Sequence, residues 1–202
     1  MAESISSTLR DLGVVARTSD ELRPADVPVK HYFELNDPTP IHNSSRRLAP
    51  RHNELVREEL DKMLEAGIIT PATSAWSFPI VIVSKKDGKP RFCVDYRSLN
   101  QRMKPDRWPI PRIQEIFDDL EGSVVFSTLD LFSGYWQVRM ANECKEFTTF
   151  VCRFGTFKFE VMPFGLMNAP STFQRMMDVI LAGLKFVRVY LDDVVVLSLI
   201  HI

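Results

Sequence analysis

The stretch Tyr190-Leu191-Asp192-Asp193 constrains this chain most, because it sets two adjacent carboxylates between two runs of β-formers. Phe186-Val187-Arg188-Val189 precedes it and Val194-Val195-Val196-Leu197 follows it, both rich in branched residues that favour strands. Two strands meeting at an Asp-Asp pair predict a hairpin whose tip concentrates negative charge. Like charges about 4 Å apart repel by roughly 4 kcal/mol at an effective dielectric near 20. A fold keeps such a pair in water, protonates one member, or binds a cation. An isolated Asp-Asp dipeptide fits a solvated turn best. A third carboxylate, Asp130, shifts the balance, because it closes another apolar run, Val124-Val125-Phe126-Ser127-Thr128-Leu129. A carboxylate at the end of a buried strand is expensive unless it is paired or holds a metal. Gathered at one sheet edge, Asp130, Asp192 and Asp193 would offer the hard oxygen donors that Mg²⁺ prefers.

The chain has 202 residues, enough to bury a real core in one domain or two small ones. Its 25 Lys and Arg against 26 Asp and Glu give no global pull toward a polyanion. Local charge differs. From Lys85 to Arg112, basic residues at 85, 86, 89, 91, 97, 102, 104, 107 and 112 face only Asp87, Asp95 and Asp106. Interleaved with Phe92, Tyr96 and Trp108, this stretch could follow a phosphate backbone and offer rings for stacking, or form a solvated loop region. Cys93, Cys144 and Cys152 are odd in number and lack C-x-x-C spacing, which suits buried thiols rather than a disulfide framework or a zinc site. No run approaches the eighteen or so apolar residues of a membrane span, and Met1 to Val15 has no signal-peptide pattern.

Residues 1 to 45, punctuated by Pro24, Pro28, Pro38 and Pro40, read as a poorly ordered linker or arm, and 46 to 202 as the folded unit. A helix is predicted from Pro50 to Ala66, with Val56, Leu60, Met63 and Leu64 as its apolar stripe, a Glu58–Lys62 pair, and Gly67 as its stop. Phe78 to Ser84 and Arg91 to Tyr96 predict a hairpin turning at Lys86-Asp87-Gly88-Lys89, with Arg91 on the face opposite Phe92. A short helix carrying Ile113, Ile116, Phe117 and Leu120 follows, then a strand from Val124 to Leu131. A second hairpin spans Phe147 to Val151 and Phe157 to Val161. Asn168 is positioned to cap a helix from Pro170 that presents Phe173, Met176, Met177, Ile180 and Leu181 as core filler. Helices mixed with mostly antiparallel hairpins, without βαβ regularity, make the class α+β.

Several segments together resemble one family. Leu129-Asp130-Leu131-Phe132-Ser133-Gly134-Tyr135-Trp136-Gln137 is similar to the first catalytic motif of reverse transcriptases from gypsy-type LTR retrotransposons. Arg91-Phe92-Cys93-Val94-Asp95-Tyr96-Arg97-Ser98-Leu99-Asn100, Met162-Pro163-Phe164-Gly165-Leu166, Asn168-Ala169-Pro170-Ser171-Thr172-Phe173-Gln174 and Tyr190-Leu191-Asp192-Asp193 continue the match in order, over about residues 31 to 198. The resemblance implies a right-hand polymerase, with fingers and a partial palm built as an antiparallel sheet with packed helices. It implies RNA-directed DNA synthesis, with Asp130, Asp192, Asp193 and the Leu131 carbonyl holding two Mg²⁺ ions, for which Mn²⁺ could substitute. By the same resemblance Lys85 and Arg91 grip the triphosphate of a deoxynucleotide, Tyr135 packs beneath its sugar, and Phe164 and Gly165 border the nascent base pair. Gln174 would support a neighbouring strand or the template, or else sit on a solvated helix face. The implied partners are an RNA or DNA template with its primer, deoxynucleoside triphosphates, and the thumb, connection and RNase H segments of a Pol polyprotein, without a membrane.

The stretch Leu199-Ile200-His201-Ile202 departs from the family's polar continuation, so the chain reads as truncated after the acidic hairpin, and His201 receives no role. Residues 1 to 45 look like the segment between protease and polymerase. The expected location is cytoplasmic, in a virus-like particle, or nuclear. The principal alternative is a non-catalytic nucleic-acid-binding remnant. Weaker ones are an RNA-dependent RNA polymerase and a structural protein whose Asp-Asp turn is merely solvated.

Overall fold

A computed structural model describes residues 29–84, 90–131 and 133–198. The expected turn at 86–89, Lys85, Phe132, His201 and residues 1–28 lie outside the described residues. Among the described residues ten strands occur in chain order: β1 Lys30–His31, β2 Ile69–Pro71, β3 Phe78–Ser84, β4 Pro90–Val94, β5 Val125–Asp130, β6 Arg139–Met140, β7 Phe150–Cys152, β8 Gly155–Phe159, β9 Val187–Tyr190 and β10 Asp193–Ser198. The α-helices are α1 Pro50–Glu65, α2 Arg97–Asn100, α3 Ile113–Asp119, α4 Asn142–Lys145 and α5 Ala169–Ile180. The α+β class holds.

Five strands form one sheet in the order β2-β8-β7-β3-β4, and three form another in the order β5-β10-β9. The smaller sheet is wholly antiparallel, whereas β3 and β7 run parallel, as do β1 and β6. A parallel neighbour needs a long crossover, and the chain between β3 and β7 includes β5 and so visits the second sheet. Helix α1 buries Val56, Leu60 and Met63, a stripe at i, i+4 and i+7 that joins the core of the five-stranded sheet. Each such side chain contributes roughly 1.5–3 kcal/mol when fully buried. Lys62 pairs with Glu59 at 3.4 Å rather than with Glu58, since positions three and four apart are both within reach of flexible side chains.

Four expectations change. Residues 29–45 are packed, not an arm: β1 pairs with β6, Phe33 is buried, and the His31 backbone carbonyl accepts from Ala141 N–H. Helix α3 buries none of its residues, and Phe117 is 63% exposed. Strand β5 is also largely exposed rather than buried, because its apolar residues have no layer over them among the described residues. Asn168 precedes α5 without capping it through its side chain; instead Oδ1 accepts from Asp106 N–H and Nδ2 donates to the Lys104 carbonyl. No described helix is long and apolar enough to cross a membrane.

Candidate active site

The acidic hairpin forms as its flanking strands dictate. β9 and β10 pair with Tyr190 opposite Asp193, leaving Leu191 and Asp192 as a two-residue turn. Such turns need positive φ, and Leu191 has φ 56. For a residue with a Cβ that conformation costs roughly 1–2 kcal/mol. Two hydrogen bonds hold the turn from outside. Leu131 N–H donates to the Asp192 carbonyl at 3.4 Å, and Leu191 N–H donates to Gln174 Oε1 at 3.1 Å.

Strand β10 also pairs with β5, and the register sets Asp193 directly opposite Asp130. Directly opposed residues share a sheet face, with Cβ atoms about 5 Å apart. Sixty-two residues of intervening chain thus return two carboxylates to one face, with Asp192 beside them in the turn. Among the described residues none of the three forms an ion pair. Among those residues, too, no three His, Cys, Asp or Glu side chains already stand close enough to hold a metal. The residue types suit a hard divalent ion: carboxylate oxygens, plus the Leu131 carbonyl, which accepts from Gly134 N–H at 3.2 Å and keeps a second lone pair.

Asp130 and Asp192 open onto a cleft of about 650 Å³ that Arg91, Tyr135, Trp136 and Phe164 also line. That volume is in the range of small-molecule sites. Tyr135 lies in a 3₁₀ turn, Gly134–Gln137, and stacks on Phe164 with ring centroids 5.2 Å apart. Phe173 of α5 supports Tyr135 from another side at 5.4 Å. Gly134 permits this approach, since a Cβ there would meet the Phe173 ring at 2.8 Å. Burial, and secondarily the Asp192 charge, raises the Tyr135 phenol above its ordinary pKa, so the ring stays neutral. The Arg91 guanidinium lies 5.1 Å from the Phe164 ring centroid, a cation–π contact that aims the charge at the cleft mouth. Gly165 takes φ 93, and its carbonyl accepts from Asn100 Nδ2 at 2.8 Å. Asn100 Oδ1 in turn accepts from Met167 N–H, pinning the Phe164–Met167 loop.

Asp130, Asp192, Arg91, Tyr135 and Phe164 are therefore gathered around one cleft, while Asp193 joins them through the strand register. Gly165 lies in the adjoining loop, and Lys85 lies outside the described residues. The stacking expectation for two aromatics changes. Tyr96 is buried with its hydroxyl donating to the Thr148 carbonyl at 2.7 Å, so its ring is not available to a base. Trp108 is held by Asp178, to which its indole N–H donates at 2.8 Å, and by Arg175 across its face. Sequence reasoning missed Asn100, which carried no signal beyond its place in the fingers motif. Gln174 is fully buried, which removes the solvated-face alternative.

Comparison with known proteins agrees with this arrangement. The family model described as reverse transcriptase (RNA-dependent DNA polymerase) matches residues 83–199. The Retrovirus-related Pol polyprotein from transposon 297 of Drosophila melanogaster is 38% identical over 177 residues, covering 84% of this chain and 17% of that protein. The corresponding polyprotein from transposon gypsy of the same organism is 35% identical over 189 residues, covering 90% of this chain and 18% of that protein. The chain thus spans about a sixth of the length of these curated relatives. A structure of the foamy viral protease-reverse transcriptase in complex with an RNA/DNA hybrid superposes with a TM-score of 0.80 at 19% identity, covering 97% of this chain and 26% of that one, a likeness of fold. With the motif order, the acidic hairpin register and the family match in agreement, this chain belongs to the reverse transcriptase family of retrotransposon Pol polyproteins.

Proposed function

We propose that the Asp130–Asp192–Asp193 edge is the nucleotide-addition site of an RNA-directed DNA polymerase, acting by two-metal transfer of a deoxynucleotide to a primer 3′-hydroxyl. One observation carries the reading: the β5–β10 register opposes Asp193 to Asp130 at the rim of a cleft that Asp192, Arg91, Tyr135 and Phe164 share. Asp130, Asp192, Asp193 and the Leu131 carbonyl would hold divalent ions, Mg²⁺ or Mn²⁺. When bound, such ions neutralise phosphate charge and make the 3′-hydroxyl a better nucleophile. Phosphoryl transfer needs positioning and charge stabilisation more than a covalent nucleophile, and the remaining residues supply both. The Arg91 guanidinium, with Lys85, forks onto the triphosphate. The neutral Tyr135 ring, braced by Phe164 and Phe173, forms a floor under the sugar that leaves little room for a 2′-hydroxyl. Template and primer would lie across the exposed face of β5 and the adjoining basic stretch.

The test is primer extension on an RNA template with Mg²⁺ or Mn²⁺. Asp192→Asn and Asp130→Asn should each lower extension by about 10³-fold, a loss of about 4 kcal/mol in transition-state stabilisation. Thermal stability should stay level or rise slightly, because a like-charge neighbour is neutralised. Asp130→Asn with unchanged extension would remove the metal argument. A second reading, nucleic-acid binding without catalysis, draws on the basic residues between Arg91 and Arg112. Salt-dependent template binding with no extension by the wild-type chain would favour it.

A further inference from the structure

The turn that carries Asp192 is held by a chain of groups that runs from Gln174 back to Trp108. Gln174 Oε1 accepts from Leu191 N–H at 3.1 Å, and Gln174 Nε2 donates to Asp178 Oδ1 at 3.0 Å, one helical turn along α5. The other oxygen of Asp178 accepts from Trp108 Nε1 at 2.8 Å. Trp108 is fixed in turn: its backbone N–H donates to Asp106 Oδ1 at 3.1 Å, and Arg175 covers its ring at 4.9 Å while pairing with Asp106. Gln174 is fully buried and spends both ends of its amide in this relay. Its hydrogen bond to the acidic hairpin goes to the N–H of the residue there with positive φ.

We propose that Gln174 is a positioning residue for the carboxylate turn: anchored through Asp178 to Trp108, it clamps Leu191 so that Asp192 and Asp193 keep the register facing Asp130. An amide suits the task because its oxygen accepts from the backbone while its nitrogen, a separate atom, donates to a carboxylate; a hydrocarbon does neither, and a hydroxyl must do both from a single oxygen. The carbonyl oxygen thereby fixes a backbone conformation that leucine otherwise disfavours. Trp108 links the segment after the fingers motif to the acidic turn through three side chains, so displacement of one is felt at the other. The consequence for metal binding rests on the proposed function, whereas the clamp itself does not.

Backbone amide exchange on the 202-residue chain tests the clamp directly. Exchange at Leu191 should accelerate at least tenfold in Gln174→Met, which keeps volume and burial but loses both polar ends. Asp178→Asn, which accepts from only one of its two donors, should accelerate it about threefold. Trp108→Phe should act in the same direction, and it leaves the core untouched if the methionine variant folds poorly. Leu191 exchange unchanged in both Gln174→Met and Trp108→Phe overturns the proposal. Mn²⁺ titration followed by water relaxation supplies the second readout. Gln174→Met should weaken Mn²⁺ at least fivefold with the unfolding midpoint preserved. A faster Leu191 amide with unaltered Mn²⁺ affinity would refute the positioning role. Wild-type chain that binds no Mn²⁺ would strike the proposed function instead, with the exchange comparison still deciding the clamp.

Discussion

The two larger sheets among the described residues differ in how far they are covered. In the five-stranded sheet Phe78 and Phe150 are wholly buried and Ile80 nearly so, and α1 adds a second apolar layer. In the three-stranded sheet Phe126 and Leu129 are about half exposed, yet the strand they belong to carries Asp130. The first sheet is closely packed throughout its middle strands; in the second Val194 reaches the core, with Val187 and Val189 against it, while β5 stays uncovered among the described residues and is held by strand register. Stability and the proposed chemistry should therefore be separable by mutation, because the buried aromatic side chains are not those at the acidic edge.

The sharpest way to break that contrast is a matched pair of truncations. Phe150→Ala, in the buried sheet, should cost about 3–5 kcal/mol, since it leaves a cavity among Phe92, Phe157 and Phe159. Phe126→Ala should change unfolding free energy by about 0.5 kcal/mol or less. Equal losses in urea titration would show that β5 is covered after all.

A smaller effect comes from pH, at the seam where β1 joins α5. His31 is buried with Nδ1 2.8 Å from Thr172 Oγ1, and burial lowers its pKa from the ordinary 6.5 to about 4. The folded state excludes the proton that the unfolded state takes up near pH 6.5. Stability attributable to this group is therefore complete above about pH 6.5 and falls as pH drops toward 4, by roughly 3 kcal/mol in all. Urea midpoints at pH 7.5 and 5.0 should reveal the slope, and His31→Gln should flatten it. A wild-type midpoint that is level over that interval contradicts a neutral buried imidazole.

The smallest expected effect lies at the junction of the two regions. Gly134→Ala would press a methyl group into the Phe173 ring, costing about 1–3 kcal/mol. Because Phe173 also braces Tyr135, nucleotide affinity should fall along with the unfolding midpoint. The double variant Gly134→Ala, Phe173→Leu should recover part of the stability.

Local pattern determined much of this. The strand from Phe78 to Ser84 and the helix beginning at Pro50 follow directly from branched-residue runs, a Pro start and a 3.6-residue apolar stripe, all properties of near neighbours. The motif residues Asp130, Asp192 and Asp193 were legible because carboxylates rarely sit beside such apolar runs. Exposure was not legible: β5 and α3 carry the pattern of buried elements, and only their place in the fold leaves them uncovered.

Partnerships across long separations were decided by tertiary structure alone. Asn168 reads as a helix cap but spends its amide on residues 104 and 106, and Trp108 reads as a stacking platform but bonds Asp178, seventy residues on. The opposition of Asp130 and Asp193 likewise depends on strand register, which a slip of one residue would reverse to the other face. Amino-acid types and their short-range periodicity specify which elements form and which chemistry they carry. Which polar atom meets which is settled only when those elements pack, because buried amides and carboxylates must take whatever partners the surrounding backbone brings within about 3 Å.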